Sequence, residues 1–171
     1  MLARSLGGVN ELFAPPGTDW HAVSPALARL RRTVLLGVGG VAVVALVVLA
    51  LMLSWPGLLW VTVVVVLLVL GALAWVAIGR NARWWGYAER DEDLYIKHGA
   101  VFRKLVIVPY GRMQYVDVQA GPLEQAFKVA SVHLHTASPG TSARIPGLPA
   151  AEAARLRDRL TSLGQSQAAG L

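Results

Sequence analysis

Residues 33–79 form a run of 47 positions without a single Asp, Glu, Lys, Arg or His, dominated by Val, Leu and Ala. One membrane-spanning helix needs roughly 20 apolar residues to cross about 30 Å of hydrocarbon, so the run is long enough for two. It is broken near its middle by Ser54-Trp55-Pro56-Gly57. Pro-Gly is a turn dipeptide, and the residue before a proline avoids helical backbone. The pattern predicts a transmembrane hairpin over 33–79, with helices at 33–53 and 58–78. A helical hairpin inside a soluble protein would carry a polar stripe on each helix, and neither segment has one. A cleaved secretory signal is excluded too, because a second apolar run follows the first. The stretch also explains why only 15% of the 171 residues are charged, against about 25% in soluble domains.

Lys and Arg collect on the cytoplasmic side of membrane spans. Arg29, Arg31 and Arg32 precede the first span, Arg80 and Arg83 follow the second, and the turn between them is uncharged. These five arginines are the topology anchors. Both chain ends are therefore expected on the cytoplasmic side of the inner or plasma membrane. Trp55 and Trp60 flank the outer turn, and Trp75, Trp84 and Trp85 stand near the inner end of the second span. Indoles favour both interfaces. Residues 1–32 are expected to be a cytoplasmic segment, loosely ordered up to Val23. Ser24-Pro25 then reads as a helix start, which makes residues 26–32 an extension of the first span. Gly37, Gly39 and Gly40 in the first span, and Gly71, Ala72 and Ala74 in the second, are small enough to allow close helix contact.

Residues 80–164 have the size of one small domain, with 165–171 as a frayed tail. Short strands come first. Leu94 and Ile96 alternate with Tyr95 and Lys97, then His98-Gly99-Ala100 turns into a β-rich run over 101–108. Residues 113–119 read as another strand, residues 123–128 as a short connection, and Val132, Leu134 and Thr136 alternate with His133 and His135. Arg144-Ile145 begins a last strand. From Ala150 the period changes: Ala153, Leu156, Leu160 and Leu163 fall at helical spacing, with Pro149 before them and Gly164 at the expected end. An antiparallel curved sheet closed by one amphipathic helix follows, an α+β arrangement.

Several segments carry a resemblance. Two spans lead into Tyr87 and Asp93-Leu94-Tyr95-Ile96-Lys97-His98-Gly99, and Val108-Pro109-Tyr110-Gly111-Arg112-Met113-Gln114-Tyr115-Val116 follows. Gly121-Pro122-Leu123-Glu124-Gln125-Ala126-Phe127, Ala130-Ser131-Val132-His133-Leu134-His135-Thr136-Ala137 and Ile145-Pro146-Gly147-Leu148 complete the set. In this order and spacing the chain resembles the bacterial membrane-flanked PH-like family of the YdbS type, from about Arg29 to Leu160. The resemblance implies a pleckstrin-homology-like fold, a seven-stranded bent sheet or partial barrel capped by a C-terminal helix. It implies no catalysis and no cofactor, and it suggests a larger multi-domain relative as a membrane partner. Lys128 departs from the family's glycine after the phenylalanine, which predicts a different local turn because a side chain disfavours left-handed backbone.

Enzyme chemistry finds little footing. Asp91-Glu92-Asp93 is consecutive and belongs to a turn, where carboxylates do not converge on one substrate. His133 and His135 share one strand face at a spacing that suits a metal, but no third ligand accompanies them in the sequence. Gly37-Val38-Gly39-Gly40 lies inside a span, so it cannot be a phosphate loop. With no cysteine there is no disulfide or thiolate site. The net charge is +6, yet no basic reading helix or aromatic-lined basic strand supports nucleic-acid binding. The basic balance suits anionic lipid. Arg103, Lys104 and Arg112 are the candidate head-group contacts. Two functions remain: a non-catalytic interaction module at the cytoplasmic face, docking a second membrane protein or itself, or a sensor of anionic head groups.

Overall fold

The computed structural model describes residues 18–53, 56–137 and 142–169. Residues 1–17 of the segment expected to be loose, Ser54 and Trp55 of the expected outer turn, and residues 138–141 lie outside the described residues. In chain order the elements are strand β1 (His21–Ala22), helices α1 (Ala26–Met52) and α2 (Gly57–Arg83), and strands β2 (Gly86–Glu89), β3 (Asp93–His98) and β4 (Lys104–Pro109). A 3-10 turn (Tyr110–Arg112) leads to β5 (Met113–Gln119), the short helix α3 (Pro122–Ala126), β6 (Val129–Thr136), β7 (Ala143–Pro149) and α4 (Ala150–Ala169).

Both long helices have 27 residues, so each is roughly 40 Å long and more than spans the hydrocarbon. Protein covers only 6% of the apolar window of α1 and none of that of α2. A soluble core helix would be covered, so lipid is the remaining solvent. α1 starts at Ala26, as the Ser24-Pro25 signal predicts, whereas α2 runs past its expected end at Ile78 to Arg83. Leu27 is buried at the start of α1 and Ala82 near the end of α2, while Arg80 and Arg83 in the last turn of α2 complement its dipole. The small residues do not draw the helices together as expected. Gly39, Gly40, Gly71 and Ala72 instead line an open groove of about 610 Å³. A Cβ added at Gly39, Gly40 or Gly71 would meet nothing within 4 Å. The helices meet near the domain, where Arg32 lies against Gly79 and over Trp75 at 4.6 Å.

The strands form a four-stranded sheet in the order β1-β2-β3-β4 and a three-stranded sheet in the order β5-β6-β7. All pairings are antiparallel. Buried Leu94, Ile96 and Val108 of the first sheet face Val132, Leu134, Ile145 and Leu148 of the second, and Ala153, Leu156 and Leu160 of α4 close the core. That is the bent sheet capped by a helix that the resemblance implies: a membrane hairpin plus a PH-like α+β domain.

Four local expectations change. The segment before α1 is not loose throughout: His21 pairs with Tyr87 and Ala22 with Gly86, which adds an edge strand from ahead of the hairpin. β4 begins at Lys104 rather than at 101, because the turn at Gly99 (φ +94) takes in Val101 and Phe102. Gly164 does not end α4, which runs on to Ala169. A Cβ at Gly164 would lie 3.7 Å from both Met113 and the Tyr110 carbonyl, an ordinary contact distance, so neither space nor backbone conformation makes this glycine a helix end.

Lys128 keeps the left-handed backbone, at φ 55, despite its side chain. Its N–H donates to the Gln125 carbonyl at 3.0 Å, and the buried start of β6 follows at once. The surrounding turn thus imposes the conformation on a residue that disfavours it. The left-handed penalty is about 1–2 kcal/mol, and glycine's extra unfolded-state entropy offsets about 0.4–1 kcal/mol of it. Lys128→Gly is expected to stabilise the full chain in detergent by about 0.5–1 kcal/mol. A thermal melt showing a lower Tm for the variant would contradict this account of the turn.

Candidate functional site

β5 is an edge strand: β6 pairs with one side and no strand among the described residues pairs with the other. Its residues are mostly half-buried or exposed, with a register shift between Met113 and Tyr115. Alongside it α4 presents Leu160, Thr161, Gly164 and Gln165, and the two elements bound a groove of about 390 Å³. Tyr115 is 57% exposed on the rim, where it stacks on His135 at 4.2 Å. An open edge beside a helix-walled groove can accept an extended segment by strand addition. Sequence reasoning misses this site because alternation reports which face a residue lies on, not which strand is left unpaired.

A second, polar cleft of about 680 Å³ lies where β1 and β2 meet α4. Tyr87 is buried, and its hydroxyl donates to Glu152 of α4. Glu152 also accepts from Arg155 Nη2 at 2.7 Å. Arg155 reaches Glu89 as well, and Arg159 Nε donates to the second oxygen of Glu89 at 2.7 Å. The Glu89 side chain is only 10% exposed, so both guanidiniums offset a carboxylate that burial would otherwise destabilise. Arg155, with help from Tyr87, holds the Glu152 carboxyl down to about 2. Burial, reinforced by Glu152, pushes the Tyr87 phenol well above its usual value. Every carboxylate of this network is spent on an internal partner, so its chemistry is to lock α4 onto β2. The Glu152/Arg155 pair is legible as i,i+3 spacing, whereas Glu89 is 66 residues from Arg155 and only the fold unites them.

The candidate head-group residues are not brought together. Lys104 opens β4, and Arg103 beside it stacks on Trp84 at 4.1 Å. Arg112 lies past the other end of that strand, roughly 20 Å away at a strand rise of about 3.3 Å per residue. One head group cannot bridge that distance, so the three do not form the shared pocket expected of them. The anchors fall near the junction: Arg29, Arg31 and Arg32 on the first turns of α1, Arg80 and Arg83 on the last turn of α2. Asp91 and Glu92 are exposed in the β2–β3 turn. His133 and His135 stack 6.5 Å apart, and no group of three or more His, Cys, Asp or Glu able to hold a metal occurs among the described residues.

A bent four-plus-three sheet capped by a C-terminal helix and carried on a membrane hairpin defines a membrane-anchored PH-like protein. The sequence profile described as the bacterial PH domain matches residues 33–163, and the chain belongs to that family. It is 33% identical over 140 residues to a transmembrane protein of Bacillus subtilis called YdbS, covering 80% of this chain and 86% of the relative. No solved structure matches it. The family match begins at Thr33 and so leaves out β1.

The depressed Glu152 carboxyl makes a pH-dependent contribution. Its pKa falls from 4.5 to about 2 on folding, so the stabilisation is complete above the unfolded value and lost as pH drops toward the folded one. Glu152→Gln is expected to lower Tm at pH 7, and the gap from the parent should narrow between pH 4.5 and pH 2. A gap that stays constant over that window would show that the carboxylate charge is not what holds α4.

Proposed function

We propose that the chain is a membrane-anchored, non-catalytic interaction module at the cytoplasmic face that works in a complex with another membrane protein. The open edge of β5 beside the α4 groove carries this reading. Strand addition there would supply main-chain hydrogen bonds, and the groove would select a side chain of the incoming segment. The non-catalytic part is supported by the internal pairing of Glu89 and Glu152, the carboxylates of the polar cleft. The cytoplasmic orientation is supported by the five arginines at the hairpin ends and the uncharged turn between the helices.

The experiment is purification of the full chain from native membranes in mild detergent, comparing it with Gly164→Leu. The parent is expected to retain a second membrane protein in fixed ratio. The variant fills the groove between Leu160 and Met113, and at least a ten-fold loss of that protein is expected with little change in Tm. Equal recovery by both would remove the groove from the interface, and a parent recovered alone would count against the complex itself. Orientation is checked separately: a reporter fused after Leu171 should be active only in its cytoplasmic form, and periplasmic or extracellular activity would reverse the topology.

A further inference from the structure

The β3–β4 loop and the domain-side end of α2 enclose a cradle of about 680 Å³ that belongs to neither the β5 groove nor the ionic cleft. Leu73, Val76 and Ala77 of α2 form its floor, Val101 and Phe102 one wall, and Arg31 and Arg80 are the charged residues lining it. The loop is built to hold its apolar tip outward. At Gly99 the backbone is left-handed (φ +94), and a Cβ there would sit 1.9 Å from the Phe102 carbonyl oxygen, so only glycine permits the turn. Arg103 stacked on Trp84 at 4.1 Å fixes the root of the loop to the end of α2. As a result Phe102 is 90% exposed and Val101 81%.

Depth decides what the cradle meets. Leu73 precedes Gly79, the last residue of the uncharged run, by six positions. At about 1.5 Å per residue it lies roughly 9 Å further along the helix, inside the acyl region. No carboxylate among the described residues is ion-paired with Arg31 or Arg80. The cradle therefore combines an apolar floor at acyl depth, an aromatic wall and two cations, an arrangement complementary to an amphiphile with a negative head. A soluble peptide would have to enter hydrocarbon to reach that floor.

We infer that the cradle binds one anionic phospholipid of the leaflet on the domain side, with its phosphate between Arg31 and Arg80 and an acyl chain along Leu73, Val76 and Ala77 beneath Phe102. The Val101–Phe102 tip sits in that leaflet and closes the site. This does not depend on the partner groove, and it assigns head-group recognition to residues other than Arg103, Lys104 and Arg112.

Two measurements test it. The chain has no cysteine, so Phe102→Cys gives one labelling site, and Asp91→Cys gives a control at the opposite end of β3. An environment-sensitive fluorophore at 102, in nanodiscs containing acyl-brominated phosphatidylcholine, should be quenched several-fold more than one at 91. Equal quenching at both positions overturns the insertion of the loop. Native mass spectrometry of the full chain with equimolar phosphatidylglycerol and phosphatidylcholine should show one retained phosphatidylglycerol, preferred at least five-fold. Arg31→Gln with Arg80→Gln should abolish the preference, the corresponding pair of lysine substitutions should keep most of it, and Phe102→Ser should lower retention of both lipids. A parent without preference, or a double glutamine variant as selective as the parent, overturns the site.

Discussion

The PH-like domain closes only because chain on the two sides of the membrane hairpin meets again at one place. β1 precedes α1 and pairs with β2, which follows α2. Between them, the Ser24 N–H donates to the Gly147 carbonyl at 3.0 Å, and Leu27 packs directly onto Gly147. Gly147 is left-handed (φ +72), and a Cβ there would lie 2.6 Å from the Leu27 Cβ, so both backbone conformation and space demand glycine. Val23 and Leu27 belong to the same core cluster as Ile145, Leu148 and Leu156. The first span therefore starts inside the hydrophobic core of the domain. The hairpin is inserted into the fold rather than tethered to it, and a rigid junction sets how the domain faces the bilayer.

Around that junction aromatic rings and cations pair repeatedly. Lys97 Nζ lies 4.0 Å from the Trp20 ring centre, Arg32 lies over Trp75, and Arg103 over Trp84. Trp85 stacks on His98 at 4.8 Å, and burial, with Lys104 nearby, depresses the His98 pKa. Indole and guanidinium both suit the head-group zone, one with an apolar face and the other with a charge that tolerates weak hydration. These pairs cluster at the end of the domain that carries the β3–β4 loop, while the β2–β3 turn lies at the opposite end of the sheet.

Away from the membrane helices, α4 is the element that both caps the sheet and walls the groove beside β5. Its apolar stripe of Ala153, Leu156 and Leu160 fills the open end of the bent sheet. Its polar side is held by the Glu89–Arg155–Glu152–Tyr87 network. Exposed ion pairs contribute little on their own, about 0–1 kcal/mol each. Glu89 differs because it is nearly buried, so its two arginines are needed to offset desolvation. With α4 fixed along one side, one edge of β5 has no strand partner among the described residues and lies beside a helical wall. The same helix thus closes the core and shapes the groove.

The sequence by itself determined the membrane hairpin, because 47 residues without charge admit no other solvent. It also determined most strands and the capping helix, because hydrophobic periodicity reports burial directly. The pairing of β1 was not legible: two residues are too few for a period, and their partner lies 66 positions away beyond both spans. Lys128 ran against local preference because its surrounding turn outweighed a left-handed penalty of about 1–2 kcal/mol, and the helix continues through Gly164 because one glycine costs it only about 1 kcal/mol. The separation of Arg103 and Lys104 from Arg112, and the meeting of Arg31 and Arg80 with Phe102, depend on strand direction and on where a hairpin turns. Those are set by contacts between residues distant in sequence, which composition and spacing do not encode. Tertiary structure alone decided which edges and cations this protein presents to its surroundings.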